Sequence, residues 1–159
     1  YWKVETLCRL QSSDYRLQVG DNAIFDLYSR LIGLANSEVV AEGKFYDLMW
    51  LNQRNPQFDS FRQYAFVRYT DKEVLLVVAN FAGEERNVRL NLTHHLFEAM
   101  NNFERSEKLS TLNSQLSTRF GKVVAQDLMT DITAELNFSA DEPVEIVLKP
   151  YQVCAYLIK

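Results

Sequence analysis

Few residues in this 159-residue chain could do chemistry, and their spacing limits what they do. His94 and His95 are adjacent. Sequence neighbours point in different directions on a helix or a strand, so the two rings do not converge easily on one metal ion, and no metal site is read here. Two carboxylate pairs, Glu84-Glu85 and Asp141-Glu142, fall in expected turns. General acid–base work needs a cleft that sets two carboxyl pKa values apart, and a turn supplies none. The five glycines (20, 33, 43, 83 and 121) are isolated, so no Gly-rich phosphate loop is present, and there is no nucleophile elbow. Cys8 and Cys154 lie at opposite ends of the chain and read as two reduced thiols. Asn91-Leu92-Thr93 and Asn137-Phe138-Ser139 match the glycosylation sequon, a short pattern that recurs by chance. No catalytic residue and no cofactor is assigned.

The aromatic residues are the stronger lead. They make up 13% of the chain, and Tyr46, Trp50, Phe58, Phe61 and Tyr64 gather around one expected strand and its loop. Such rings fill the core of a sandwich, or they stack on sugar faces when exposed. Trp50, at a strand end, and Phe58, in a polar loop, are the two expected to be exposed. They are the candidates for carbohydrate binding.

The elements that would position these residues are organised around Val74–Phe81. Seven of its eight residues are apolar and they do not alternate, as in a central strand covered on both faces. Ahead of it, Tyr1–Gly20 reads as irregular or weakly helical. Asp21 reads as the N-cap of an amphipathic helix from about Asn22 to Asn36. Ile24, Leu27, Tyr28, Leu31, Leu34 and Ala35 form its apolar stripe. Strands are expected at Lys44–Leu51 and Phe61–Tyr69, with a loop at Asn52–Ser60 between them. Phe61–Tyr69, Val74–Phe81 and Arg86–Leu92 read as a three-stranded meander. Val88, Leu90 and Leu92 face inward there, and Asn87, Arg89 and Asn91 face out. Thr93–Gly121 reads as a short helix near His95–Asn101. A second helix, with Leu109, Leu112, Leu116 and Phe120 at helical spacing, follows and closes at Gly121; a long surface excursion is the alternative. Strands resume at Val123, Ala134–Phe138, Val144–Leu148 and Tyr151–Ile158, with a bend at Pro150, which has no N–H to donate.

No stretch has the strand–helix–strand rhythm of a parallel sheet. The fold class is therefore mainly β: an antiparallel two-sheet β-sandwich of about seven or eight strands, Greek-key-like, preceded by an N-terminal α-helix. Apolar residues make up 47% of the chain and charged residues 24%, as in a folded globular protein. The net charge is −4 with Lys and Arg scattered, which argues against nucleic acid. No run approaches the roughly 20 apolar residues of a membrane span. The chain opens on Tyr1-Trp2-Lys3 rather than Met, as expected of a piece of a longer protein. The compartment is not readable from these residues.

Together these segments resemble a known family. The helix Leu27-Tyr28-Ser29-Arg30-Leu31-Ile32-Gly33-Leu34 is similar to the last barrel helix of the alpha-amylase family of glycoside hydrolases. Gly43-Lys44-Phe45-Tyr46-Asp47-Leu48 resembles the stretch that opens that family's first C-terminal strand. Tyr64–Tyr69 followed by Val74–Phe81 resembles its hairpin that ends in Asn-Phe. Asp127-Leu128-Met129-Thr130 and Leu148-Lys149-Pro150-Tyr151-Gln152-Val153 resemble its closing pattern. The resemblance spans about residues 22–92 and 123–159. The chain departs from the pattern at Ala35, where the family often has Arg, and in the long Thr93–Gly121 excursion.

The resemblance implies an N-terminal helical segment (1–43) that ends a catalytic (β/α)₈ barrel, followed by a C-terminal β-sandwich domain (44–159). The partner it implies is that barrel, in the same parent chain, and the family's catalytic carboxylates have no counterpart here. The implied role is a non-catalytic domain of an α-glucan-acting glycosidase that covers and stabilises the barrel, with Ile24, Leu27 and Leu31 at the contact. Two other readings stay open: a carbohydrate-binding module that uses Trp50 and Phe58, and a protein-interaction sandwich with no sugar role.

Overall fold

The computed structural model describes residues 19–107 and 121–159. The order of elements is α1 (Val19–Ala35), α2 (Glu38–Ala41), β1 (Lys44–Asp47), α3 (Met49–Asn52), β2 (Gln63–Tyr69), β3 (Val74–Asn80), β4 (Arg86–Leu90), α4 (His94–Glu107), β5 (Gly121–Asp127), β6 (Thr133–Phe138), β7 (Val144–Leu148) and β8 (Val153–Ile158). One antiparallel sheet has the order β1-β2-β3-β8-β5-β6, and a second pairs β4 with β7. The fold is the expected mainly-β, two-sheet architecture with a leading helix. The expectations for Tyr1–Gly20 (apart from its last two residues), for Cys8 and for the helix over Leu109–Phe120 lie outside the described residues. Among the described residues, no helix is long and apolar enough to cross a membrane.

β3 sits third in the larger sheet and is buried at all seven positions, as its unbroken apolar run predicts. Register shows why. Val74, Leu76 and Val78 pair with Ile158, Tyr156 and Cys154, so these side chains share the inner face. There they meet Val88 and Leu90 of β4 and Val144, Ile146 and Leu148 of β7, at the alternate positions that the sequence assigns inward. Leu75 and Val77 pair with Leu157 and Ala155 on the outer face, where a smaller cluster forms with Val39. Each fully buried side chain of this size contributes about 1.5–3 kcal/mol from leaving water.

Five local expectations change. Val19 and Gly20 are already helical, so Asp21 lies inside the helix and is not its N-cap. The strand over Lys44–Leu51 stops at Asp47, whose Oδ1 accepts the Met49 N–H at 2.8 Å and turns the chain into α3. Short Asp side chains compete in this way with the strand ladder. Gly121 opens β5 with φ at 118°, a backbone region suited to glycine, so the strand begins ahead of Val123. Tyr151, expected in the last strand, belongs instead to the turn before β8.

The meander also fails, because β4 leaves β3 and crosses to β7. Asn80, buried at the end of β3, directs this. Its Nδ2 donates to the carbonyls of Glu84 (2.9 Å) and Lys149 (3.0 Å), and its Oδ1 accepts the Ala82 N–H (3.0 Å). The turn after β3 is thereby tied to the turn before β8, and β8 takes the free edge of β3.

A candidate docking face

The outer face of the six-stranded sheet is built by alternation. Phe45 lies opposite Arg68, and Arg68 opposite Leu75, so β1, β2 and β3 all contribute to it. Tyr64, Phe66 and Arg68 follow at every second position of β2. The Phe66 ring lies 5.4 Å from that of Phe45 and 5.8 Å from that of Tyr64, centroid to centroid, which makes an aromatic ridge across two strands. Val77, Ala155 and Val153 continue the apolar surface.

Helix α1 covers part of this face. Leu34 packs against its buried cluster, together with Val40 beyond the helix. Arg30, one turn back, donates from Nη1 to the Asp131 carboxylate at 2.6 Å and to the Leu128 carbonyl at 3.4 Å. The next connection, through α2, is close-packed. A Cβ on Gly43 would sit 2.1 Å from the Val39 carbonyl oxygen, so only glycine fits there.

The rest of α1 is apolar and exposed. Ile24, Phe25, Leu27, Tyr28, Leu31 and Ile32 are exposed over 40% (Leu31) to 71% (Phe25) of their surface. Sequence reasoning placed one stripe here, including Ile24, Leu27 and Leu31. Leu31 lies at the edge of the helix's own sheet, lining a groove with Leu34 and Ala35. Phe25 and Ile32 lie off the expected stripe and extend the apolar surface to a second face. Such a helix, apolar on two faces, suits a place between two bodies.

The candidate sugar contacts are not brought together. Trp50, on α3, is 61% exposed, as expected. Phe58 is 4% exposed and belongs to the inner core, which corrects the expectation for that residue. The polar loop does not float, because Asn55 pins it to β4 and Asn52 pins it to Asn91, the residue after that strand. Asn52 donates to the Leu48 and Asn91 carbonyls and accepts the Asn91 N–H. Asn55 donates to the Arg89 carbonyl at 2.6 Å, and the Arg89 N–H reaches the Gln57 carbonyl. The signal was present in sequence as two Asn residues three apart, a side chain that bonds backbone as readily as it faces water.

The titratable groups build structure. Among the described residues there is no cluster of three or more His, Cys, Asp or Glu side chains that could hold a metal ion. His95 Nδ1 lies 3.0 Å from the Tyr46 hydroxyl, while His94 faces Asp141 at 3.4 Å, so the two rings part as expected. Glu84 pairs with Arg86 in its turn, and the Asn137 side-chain amide donates to Glu142. Asp127 is the one buried carboxylate among the described residues. It accepts the Ala155 N–H (2.9 Å), the Met129 N–H (3.1 Å) and the Thr130 hydroxyl (2.6 Å), an arrangement that shapes the turn after β5. Burial pushes the Cys154 thiol up to about 11, so it stays protonated and unreactive at neutral pH.

No protein-family model and no curated protein matches this chain. Solved structures do. An alpha-amylase from Anoxybacillus aligns over 91% of this chain and 24% of its own, at 16% identity and a TM-score of 0.53. An alpha-amylase from Geobacillus thermoleovorans complexed with acarbose aligns over 92% and 24%, at 13% identity and 0.55. A maltogenic alpha-amylase from Thermotoga neapolitana aligns over 89% and 27%, at 14% identity and 0.55. At these identities the likeness is one of fold. The chain thus shares its fold with a portion of alpha-amylase structures that makes up about a quarter of each of those chains.

Proposed function

We propose that this chain is the non-catalytic C-terminal domain of an alpha-amylase-like glycosidase acting on α-glucans. In this reading the exposed side of α1 seats the domain on a (β/α)₈ barrel of the same parent chain and stabilises that barrel. The observation that carries it is the exposed apolar surface of α1. Ile24, Leu27, Leu31 and their neighbours Phe25, Tyr28 and Ile32 present to water what a free-standing surface helix would fill with charge. The fold shared with part of several alpha-amylases supports it. The division follows as 1–43, closing the barrel, and 44–159, the sandwich. Bond cleavage belongs to the barrel, and no residue here is assigned to it.

The coding sequence upstream of Tyr1 tests this reading. A barrel with three acidic residues at strand ends is expected there, and any other upstream sequence overturns the proposal. A second reading, glycan binding by the sandwich, rests on the exposure of Trp50 alone, since Phe58 is buried. Affinity electrophoresis in amylopectin tests it. Retardation of the native chain that Trp50→Ala abolishes supports it, and an unretarded native chain ends it.

A further inference from the structure

Between α1 and the outer sheet face lies a cavity of about 360 Å³. It is a half-open groove: its mouth lies at Phe45 and Val153, which are exposed, and its lining is mostly apolar. Leu31 and Leu34 close it from the helix, while Phe66, Leu75, Val77 and Ala155 form its floor. Its volume falls at the small end of ligand pockets, roughly 300–1,000 Å³, which are mostly apolar with a few placed polar groups. Among the described residues of the lining, the one charged group is Arg68.

Arg68 is half-buried, and its hydrogen bonds go to carbonyls: Nε to Val39 at 3.3 Å and Nη2 to Gly43 at 2.7 Å. Among the described residues no carboxylate pairs with it. The two carbonyls hold the guanidinium, and among the described residues its charge has no counter-ion. A fixed, partly desolvated cation over an apolar floor complements a ligand with an apolar body and one anionic end, because a charge-assisted bond to a carboxylate is about twice as strong as a neutral one. We propose that this cavity binds a small amphiphilic carboxylate, its alkyl or aryl body beneath α1 and its carboxylate on Arg68. The site belongs to this chain alone and does not depend on what covers the far side of the helix.

The test titrates the 159-residue chain with decanoate, decanol and decyltrimethylammonium, by calorimetry and by methyl NMR. Decanoate is expected to bind and to shift the Met129 and Val153 methyl signals. Decanol should bind at least tenfold more weakly, and the cation not at all. Arg68→Gln should bring decanoate down to the level of decanol. Val153→Phe, which fills the groove from a partly exposed position, should weaken both. Should Arg68→Gln fail to fold, the three-ligand comparison on the native chain still decides. No decanoate binding overturns the proposal, as does equal affinity for all three amphiphiles. Methyl shifts confined to Ile24 and Ile32, on the outer side of the helix, also overturn it.

Discussion

The two faces of the six-stranded sheet are made by the same strands but end differently. The inner face is closed within the chain: β4 and β7 cover it, and Leu76, Val88, Leu90 and Leu148 are fully buried. The outer face is mainly apolar over β1, β2, β3 and β8, with Arg68 an exception. It turns polar over β5 and β6 with Lys122, Gln126, Thr133, Glu135 and Asn137, and is only partly covered. Leu75 and Ala155 are buried beneath α1, while Phe45, Tyr64 and Val153 remain exposed. The difference separates the face that closes this chain's core from the face that it leaves open. If that division is right, substitutions should sort by face, not by hydrophobicity.

The largest effect belongs to the inner face. Leu76→Ala removes a fully buried side chain at the centre of β3 and leaves a cavity that its neighbours cannot fill. A loss of about 3 kcal/mol is expected from urea denaturation, within the range of such core truncations. Leu31→Ala, at the edge of the outer groove and 40% exposed, should cost less than about 1 kcal/mol in the same assay. Similar losses at the two positions would break the comparison.

A second test addresses a polar tie between two strands of the larger sheet. Asp127 belongs to β5 and accepts the Ala155 N–H of β8. Asp127→Ala leaves the buried Ala155 N–H unpaired and should cost about 2 kcal/mol. Its effect should be the same in the free chain and in any longer parent, because its partners all lie within the sandwich.

A third test reads the inner face through pH. Burial holds the Cys154 thiol up to about 11 against an ordinary 9.0, and it raises the Tyr156 phenol as well. Both groups therefore keep protons in the folded chain that the unfolded chain gives up. Stability from this pair is complete below pH about 9 and falls as pH rises towards about 11. Thermal melts across that window should show the decline, and Cys154→Ala should make it shallower. An unchanged slope in that variant would mean that the thiol is not held in the core as described.

Much of this division was legible in the residues. The unbroken run Val74–Ala79 announced a strand covered on both faces, and strict alternation in Val144–Leu148 gave its inward set. Inward alternation also placed Val88 and Leu90 correctly. What it could not give was the partner of β4, because the Asn80 side chain ties the turn that follows it to a turn 69 residues away, at Lys149. Phe58 was misplaced for a related reason: a loop rich in Asn and Gln reads as solvated, yet its amides bind the backbone of β4 and of Asn91 just after it and draw the ring inside. Phe25 and Ile32 were missed because a single-stripe reading of α1 assumes a helix with one buried side.

The smallest expected effect on the free chain is the most informative about the outer face. Phe25→Asp with Ile32→Asp places two carboxylates on the exposed side of α1, where neither residue belongs to either buried cluster. Exposed substitutions of this kind usually change stability by less than about 0.5 kcal/mol, and the added charge should also suppress self-association of the free chain. In a parent protein where that side of α1 lies against a barrel, the same two carboxylates would be desolvated without partners. The cost there should reach several kcal/mol. The discriminating measurement is the shift in melting midpoint for the double variant, in the free chain and in the parent. A large drop in the parent alone locates the docking surface on α1. A large drop in both would mean that the helix serves this chain's own core, and no drop in either would leave α1 without a second body.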